Sequence, residues 1–150
     1  MSVSTRGDYA CRALLSLVLH SGEGPTSVRD IAARTDLPQP YLEQIMLSLK
    51  SADLVWSKRG AAGGYALTRA AEDITIGEIV AAVDGPISLG SFGQPHQDGA
   101  CDHEGQCVLL SVWSITGSAM RKLLDSYSLA DVASMARGQL AWPDPTAVAR

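Results

Sequence analysis

Residues 37–69 read LPQPYLEQIMLSLKSADLVWSKRGAAGGYALTR, and this stretch decides the fold. Its first half predicts an amphipathic helix, because apolar side chains recur there at the spacing of one helix face. These are Leu42, Ile45, Met46 and Leu49. A proline at position 38 or 40 suits the start of this helix, since the first turn needs no backbone donor there. Tyr41, Gln44 and Ser48 therefore lie on another face of the helix.

The second half of the stretch predicts a β-hairpin. Leu54–Trp56 and Gly64–Leu67 are short runs typical of strands, and a glycine-rich turn joins them. Glycines at 60, 63 and 64 let the backbone come close to a phosphate or into a minor groove, and Lys58 and Arg59 supply positive charge there. A plain surface hairpin with two incidental cations is the alternative.

Two helices are predicted before this stretch. Thr5–His20 has helical apolar spacing, and Thr26 or Ser27 can cap a second, short helix that ends at Arg34. A turn at residues 35–38 then leads into the helix quoted above. Helix, tight turn, helix and hairpin together form a winged helix-turn-helix, whose second helix can enter a major groove. An ordinary helical hairpin is the alternative for residues 27–51.

The chain after the hairpin predicts two more helices separated by a loop. Thr75 and Glu78 have the capping-box pattern of a helix that stops at residues 84–86, and residues 86–107 lack periodicity. A long helix begins at Val108, and its apolar side chains need a partner surface. These are Leu109, Val112, Trp113, Ile115, Thr116, Met120 and Leu123. An amphipathic final turn follows at Leu129, Val132 and Met135, and residues 137–150 are predicted to be a loose tail.

Charge and composition narrow the class of protein. The 150-residue chain has a net charge of −4, but residues 1–69 carry eight Lys and Arg against six acidic residues, which gives +2. Residues 70–150 carry four Lys and Arg against ten acidic residues, which gives −6. A polyanion such as DNA is therefore expected to bind the first half of the chain. No apolar run of about 18 residues and no secretory signal is evident, so we expect a cytoplasmic protein without membrane contact.

Three stretches resemble the Rrf-two family of winged helix-turn-helix transcription regulators, which includes iron-sulfur and nitric-oxide sensors. They are TRGDYACRALLSL at 5–17, LPQPYLEQIMLSLKSADLV at 37–55 and SKRGAAGGYALTRAAEDITIGEIVAAVDGP at 57–86. The pairing of PYLEQ with RGxxGGYxL is highly specific. The resemblance implies a mainly α fold with a small β-hairpin wing and a long dimerisation helix. It also implies a homodimer on a roughly palindromic double-stranded DNA operator.

The family resemblance suggests residues that contact DNA. It implies groove-facing roles for Gln39, Tyr41 and Gln44, and wing contacts for Lys58, Arg59, Gly63 and Gly64. The chemistry agrees for Gln44, whose amide can read an adenine edge, and for Arg59, which can hold a phosphate or enter a narrow minor groove. Gln39 and Tyr41 are better suited to phosphate contacts, and a core position is the alternative for Tyr41.

Residues 86–107, which we name the sensor loop, depart from the family pattern. Family sensors carry three cysteines in this loop, and their thiolates hold an iron-sulfur cluster. Cys101 and Cys107 match the last two by position and spacing, whereas Pro95–His96 stands where the first would fall. One thiolate ligand is therefore missing, although imidazole and carboxylate can substitute for it.

The resemblance suggests a mixed ligand set for a 2Fe-2S or 4Fe-4S cluster. Its members are Cys101, Cys107, His96 and Asp8 of the partner subunit, with His103 and Cys11 as less favoured substitutes. Alternatives are a lost cluster that leaves a dithiol or inert thiols, or zinc held by the cysteines and histidines. The chain is then divided into a DNA-binding domain at 1–85, the sensor loop, a dimerisation helix with its final turn at 108–136, and the tail.

An enzyme is the rival class. The sequence contains no phosphate-binding glycine motif, no nucleophile elbow and no paired carboxylates in a recognisable context. A second rival is a cluster-free regulator of the same fold that responds to thiol oxidation, zinc, a metabolite or a protein partner. Iron content distinguishes this regulator from a cluster sensor.

Overall fold

The computed structural model describes residues 3–20, 22, 24–86 and 108–144. Six helices and one antiparallel hairpin lie within these ranges. They are α1 (Thr5–Leu19), α2 (Val28–Thr35), α3 (Gln39–Ser51), β1 (Val55–Lys58), β2 (Gly64–Leu67), α4 (Ile76–Asp84), α5 (Val108–Asp125) and α6 (Leu129–Ala136), with a 3₁₀ turn at Ala71–Asp73. The predicted fold class, mainly α with a small hairpin wing, is confirmed.

The helix-turn-helix is formed by α2 and α3. Ser27 caps α2, because its side chain accepts from the backbone N–H of Asp30. Thr26, the other predicted cap, does not serve as one and instead pairs with Tyr65 of the hairpin. Asp36 ends α2 in the left-handed conformation at φ 56°, and Pro38 leads directly into α3.

The hairpin is shifted slightly from its predicted bounds. β1 begins at Val55 rather than Leu54, because the N–H of Leu54 donates to the carbonyl of Leu49 at the end of α3. The strand extends to Lys58, which pairs with Gly64, while Val55 pairs with Leu67. Leu54 and Val55 are buried, and β1 packs against α3 at the base of the hairpin.

Helix α1 lies at the centre of the core and packs against α2, α3, α4 and α6. Its Ala10, Ala13 and Leu14 are fully buried. The apolar stripe predicted for α3 is also fully buried, and Ile31 of α2 and Ile79 of α4 join the same cluster. The spacing of these apolar residues along each helix therefore identified the core face correctly.

The C-terminal helices return to this core. The capping box of α4 is present, with Thr75 and Glu78 in the predicted roles. A second capping box at Ser128 and Asp131 starts α6, where the sequence predicted only a final turn. Leu129 of α6 is fully buried, and α6 packs against α1 as a separate helix after α5.

The described part of the tail is attached to the rest of the molecule. Arg137 donates to the carbonyl of Val18, and the indole N–H of Trp142 donates to the carbonyl of Met135, each at 3.1 Å. Among the described helices, none is long and apolar enough to cross a membrane. Apart from Pro86, the sensor loop lies outside the described residues.

Candidate nucleic-acid interface

The side of α3 opposite its buried stripe forms an outward face. Helical spacing of three and four residues places Pro40, Gln44, Leu47 and Ser51 on it, and all four are exposed. This is the face that a recognition helix presents to the edges of base pairs in a major groove. Gln44, which the sequence predicts to read a base, lies exposed on this outward face.

The two glutamines of α3 differ in their partners. The side-chain amide of Gln39 donates to the Glu43 carboxylate at 3.0 Å, one turn further along the helix. Gln44 is exposed and makes no side-chain hydrogen bond within the described ranges. A free amide can form the pair of hydrogen bonds that identifies adenine, whereas Gln39 must first leave Glu43.

Tyr41 lies at the border between α3 and α1. Its ring meets that of Tyr9 edge to face, with centroids 5.8 Å apart and planes at 81°. Tyr41 nevertheless remains 39% exposed, so it is not a core aromatic residue. The contact with Tyr9 fixes the ring and leaves the phenol at the surface, which is compatible with a phosphate contact.

Arg6 also belongs to this surface, although no sequence motif contains a signal for its contact with α3. Its guanidinium Nη2 donates to Ser48 Oγ of α3 at 2.7 Å, while its Nε is buried without a partner in the described structure. Arg6 and Ser48 are separated by 42 residues, so no local pattern connects them. In the sequence, the only sign of this contact is a cation near the start of α1.

The wing is fixed to both helices of the helix-turn-helix. Lys50 Nζ of α3 donates to Ser57 Oγ of β1 at 2.6 Å. The backbones of Thr26 and Tyr65 exchange two hydrogen bonds, of 2.9 and 2.8 Å, which join β2 to the segment before α2. The position of the wing relative to α3 is therefore set by direct contacts at both ends of the helix-turn-helix.

Two free cations lie at the tip of the wing. Lys58 and Arg59 are exposed, and neither has a side-chain partner among the residues that the structure describes. They are the predicted phosphate or minor-groove contacts. Packing also requires glycine at positions 63 and 64 of the wing. A Cβ at Gly63 would collide with the backbone of Lys58, and a Cβ at Gly64 would collide with the backbone of Thr26.

The two predicted metal ligands in the described ranges differ in their suitability. Asp8 is exposed and paired with Arg12 at 2.8 Å, so its carboxylate can be reached by another subunit. Burial, and then the charges of Asp8 and Asp84, raise the pKa of the Cys11 thiol to about 11. Because a metal binds the thiolate, this environment disfavours Cys11 as a ligand.

The other predicted ligands belong to the sensor loop. Cys101, Cys107, His96 and His103 lie outside the described residues. Within the described ranges, no three His, Cys, Asp or Glu side chains come together as a metal site. Of the two predicted ligands within the described residues, Asp8 has an exposed carboxylate, whereas the environment of Cys11 disfavours the thiolate.

A family model described as "Rrf2: Iron-dependent Transcriptional regulator" matches residues 3–135. The chain is similar to the HTH-type transcriptional regulator CymR of Bacillus subtilis, with 35% identity over 93% of this chain and 94% of the relative. It is also similar to the HTH-type transcriptional regulator IscR of Aliivibrio salmonicida, with 33% identity over 88% of this chain and 77% of the relative.

Solved structures agree with these matches. The structure titled CymR (YrzC), the Global Cysteine Regulator of B. subtilis, has a TM-score of 0.72 at 36% identity and covers 90% of this chain and 98% of its own. IscR of T. potens has a TM-score of 0.71 at 37% identity and covers 95% and 94%. These relatives are regulators rather than enzymes, as predicted. This chain therefore belongs to the Rrf2 family of DNA-binding transcriptional regulators.

Proposed function

We propose that this protein is a homodimeric, sequence-specific regulator that binds a roughly palindromic operator. In each subunit α3 enters the major groove, and the wing contacts the neighbouring phosphates or minor groove. One observation carries this proposal: the free amide of Gln44 and the free cations of Lys58 and Arg59 lie on elements that direct contacts hold together. Contacts to base edges and to the DNA phosphates can then form simultaneously.

The dimer surface in this proposal is the exposed apolar side of α5. Leu109, Val112 and Ile115 are exposed there, whereas Gly117, about 140° around the helix from Val112, is buried. Two copies of such a side can bury each other around a two-fold axis, which would match a palindromic operator. We therefore propose 1–85 as the DNA-binding domain and assign dimerisation within 108–136 to α5, since α6 packs against α1 of the DNA-binding domain.

Selection from random-sequence DNA with the full-length protein tests the DNA-binding part of the proposal. The expected result is a two-fold symmetric site whose half-sites lie about one helical turn apart. Recovery of unrelated sequences without a shared motif would contradict it.

Arg59→Ala is expected to weaken operator binding and to flatten its salt dependence. Each phosphate contact contributes about 0.9 to the slope of log K against log salt, so losing one contact per subunit should reduce the slope by about 2 per dimer. Titrations at several salt concentrations measure this slope. Arg137→Ala is the matched control, since it removes an exposed cation from the C-terminal tail, outside the wing and α5, and should leave the slope unchanged.

We further propose that an iron-sulfur cluster controls operator binding. Cys101, Cys107, His96 and Asp8 of the partner subunit would hold it, and when bound it would supply redox chemistry or a point of attack for nitric oxide. The family's description as iron-dependent and the accessible Asp8 carboxylate support this. Asp8 lies two residues from Arg6, whose side chain contacts Ser48 of α3. A displacement of Asp8 on cluster binding can therefore be transmitted through α1 to the recognition helix.

The ligand set is tested on anaerobically purified protein by its visible spectrum and its iron and sulfide content. The proposal predicts a coloured protein, loss of the colour in Cys101→Ala, and weaker iron retention in Asp8→Ala than in Cys11→Ala. The Cys11 variant is the control, because the environment of that thiol disfavours the thiolate. Colourless wild-type protein without iron would refute the cluster.

A cluster-free regulator is the second candidate function. The observation that favours it is the similarity to CymR, which its structure's title calls a global cysteine regulator. In this case Cys101 and Cys107 would act as a thiol pair or as zinc ligands. Operator binding by iron-free protein that changes on oxidation or on zinc removal would distinguish these possibilities.

A further inference from the structure

We propose that Leu47 determines part of the operator sequence by contacting the C5-methyl group of a thymine in the major groove. This inference rests on the proposed function, and it adds a specificity-determining residue that the sequence motifs do not assign. Its basis is the position of a large apolar side chain on the outward face of α3, between Gln44 and Ser51.

The core of the protein does not need Leu47. The buried side of α3 is already filled by four fully buried side chains, Leu42, Ile45, Met46 and Leu49. Leu47 is 52% exposed. It is the large apolar side chain on an outward face whose other residues are small or polar. An apolar side chain of this size gains free energy only when another surface covers it.

The major groove offers one apolar group that fits this requirement. Among the base-pair edges there, only thymine presents a methyl group, and contact with an apolar side chain is the usual way to read it. Leu47 is three residues after Gln44, which is about 4.5 Å along the helix axis. Base pairs are about 3.4 Å apart. Leu47 therefore meets a base pair next to the one that Gln44 reads.

The surroundings of Leu47 are open and shallow. A depression beside it is lined by Gln44, Ser48 and Ser51 of α3 and by Ala82 of α4. The wall is mixed rather than apolar, so it does not enclose a small hydrophobic ligand. An open, partly polar surface that continues from Gln44 instead suits the edge of a duplex.

The test removes the methyl group instead of the base pair. Each thymine of the selected operator is replaced in turn by deoxyuridine, and the affinity of the full-length dimer is measured for every substituted duplex. We expect one thymine in each half-site at which loss of the methyl weakens wild-type binding roughly fourfold. In Leu47→Ala the same substitution should have no effect, because the side chain that covers the methyl is gone.

Leu140→Ala is the matched control, since Leu140 is an exposed leucine outside α3. It should keep the wild-type response to deoxyuridine, and circular dichroism should show native helix content for both variants. If Leu47→Ala and wild type respond equally at every position, the inference is overturned while the operator itself stands. If selection yields no operator, the proposed function fails before the methyl test begins.

Discussion

Val112→Asp on α5 is expected to dissociate the dimer and to lower operator affinity by at least about 100-fold. Val112 is 46% exposed on the apolar side of α5, and two-fold symmetry would bury two new carboxylates in the interface. An unpaired buried charge costs several kcal/mol, and operator binding by two half-sites depends on the dimer. Sedimentation equilibrium measures the dimer, and operator titration measures the consequence.

Ser114→Asp is the matched control for this prediction. It introduces the same charge on the same helix, but Ser114 is exposed and lies about 200° around the helix from Val112, so it faces away from it. The Ser114 variant should remain dimeric and bind the operator normally. A Val112 variant that stays dimeric at micromolar concentration would show that α5 contacts something other than a second copy of the chain.

Gly64→Ala is expected to destabilise the protein by about 2–4 kcal/mol and to weaken operator binding. An added Cβ at Gly64 would collide with the backbone of Thr26 and Ser27, which cannot move without breaking the two hydrogen bonds between Thr26 and Tyr65. These bonds attach the wing to the helix-turn-helix. Urea unfolding measures the loss of stability, and the operator titration measures the displacement of the wing.

Gly24→Ala separates this collision from the general effect of replacing a glycine. No atom lies within 4 Å of a Cβ built at Gly24, so its free energy of unfolding should stay within about 0.5 kcal/mol of wild type. Equal stability of the Gly64 and Gly24 variants would mean that β2 can leave Thr26 at little cost.

The sequence alone determined the local structure and the family. The apolar spacing of Leu42, Ile45, Met46 and Leu49 identified the buried side of α3, and the Thr75 and Glu78 pattern identified the start of α4. The hairpin was found from its glycine-rich turn, with an error of one or two residues at β1. These features depend on residues within a few positions of one another, so sequence patterns contain them.

Only the tertiary structure decided how these elements combine into the proposed DNA-binding surface. Arg6 meets Ser48, Thr26 meets Tyr65, and α6 covers α1, although the residues in each contact are far apart in the sequence. The exposure of Leu47 is significant because the core beneath α3 is complete without this side chain. Such contacts form when separate elements bury their apolar faces together, so no local spacing encodes them.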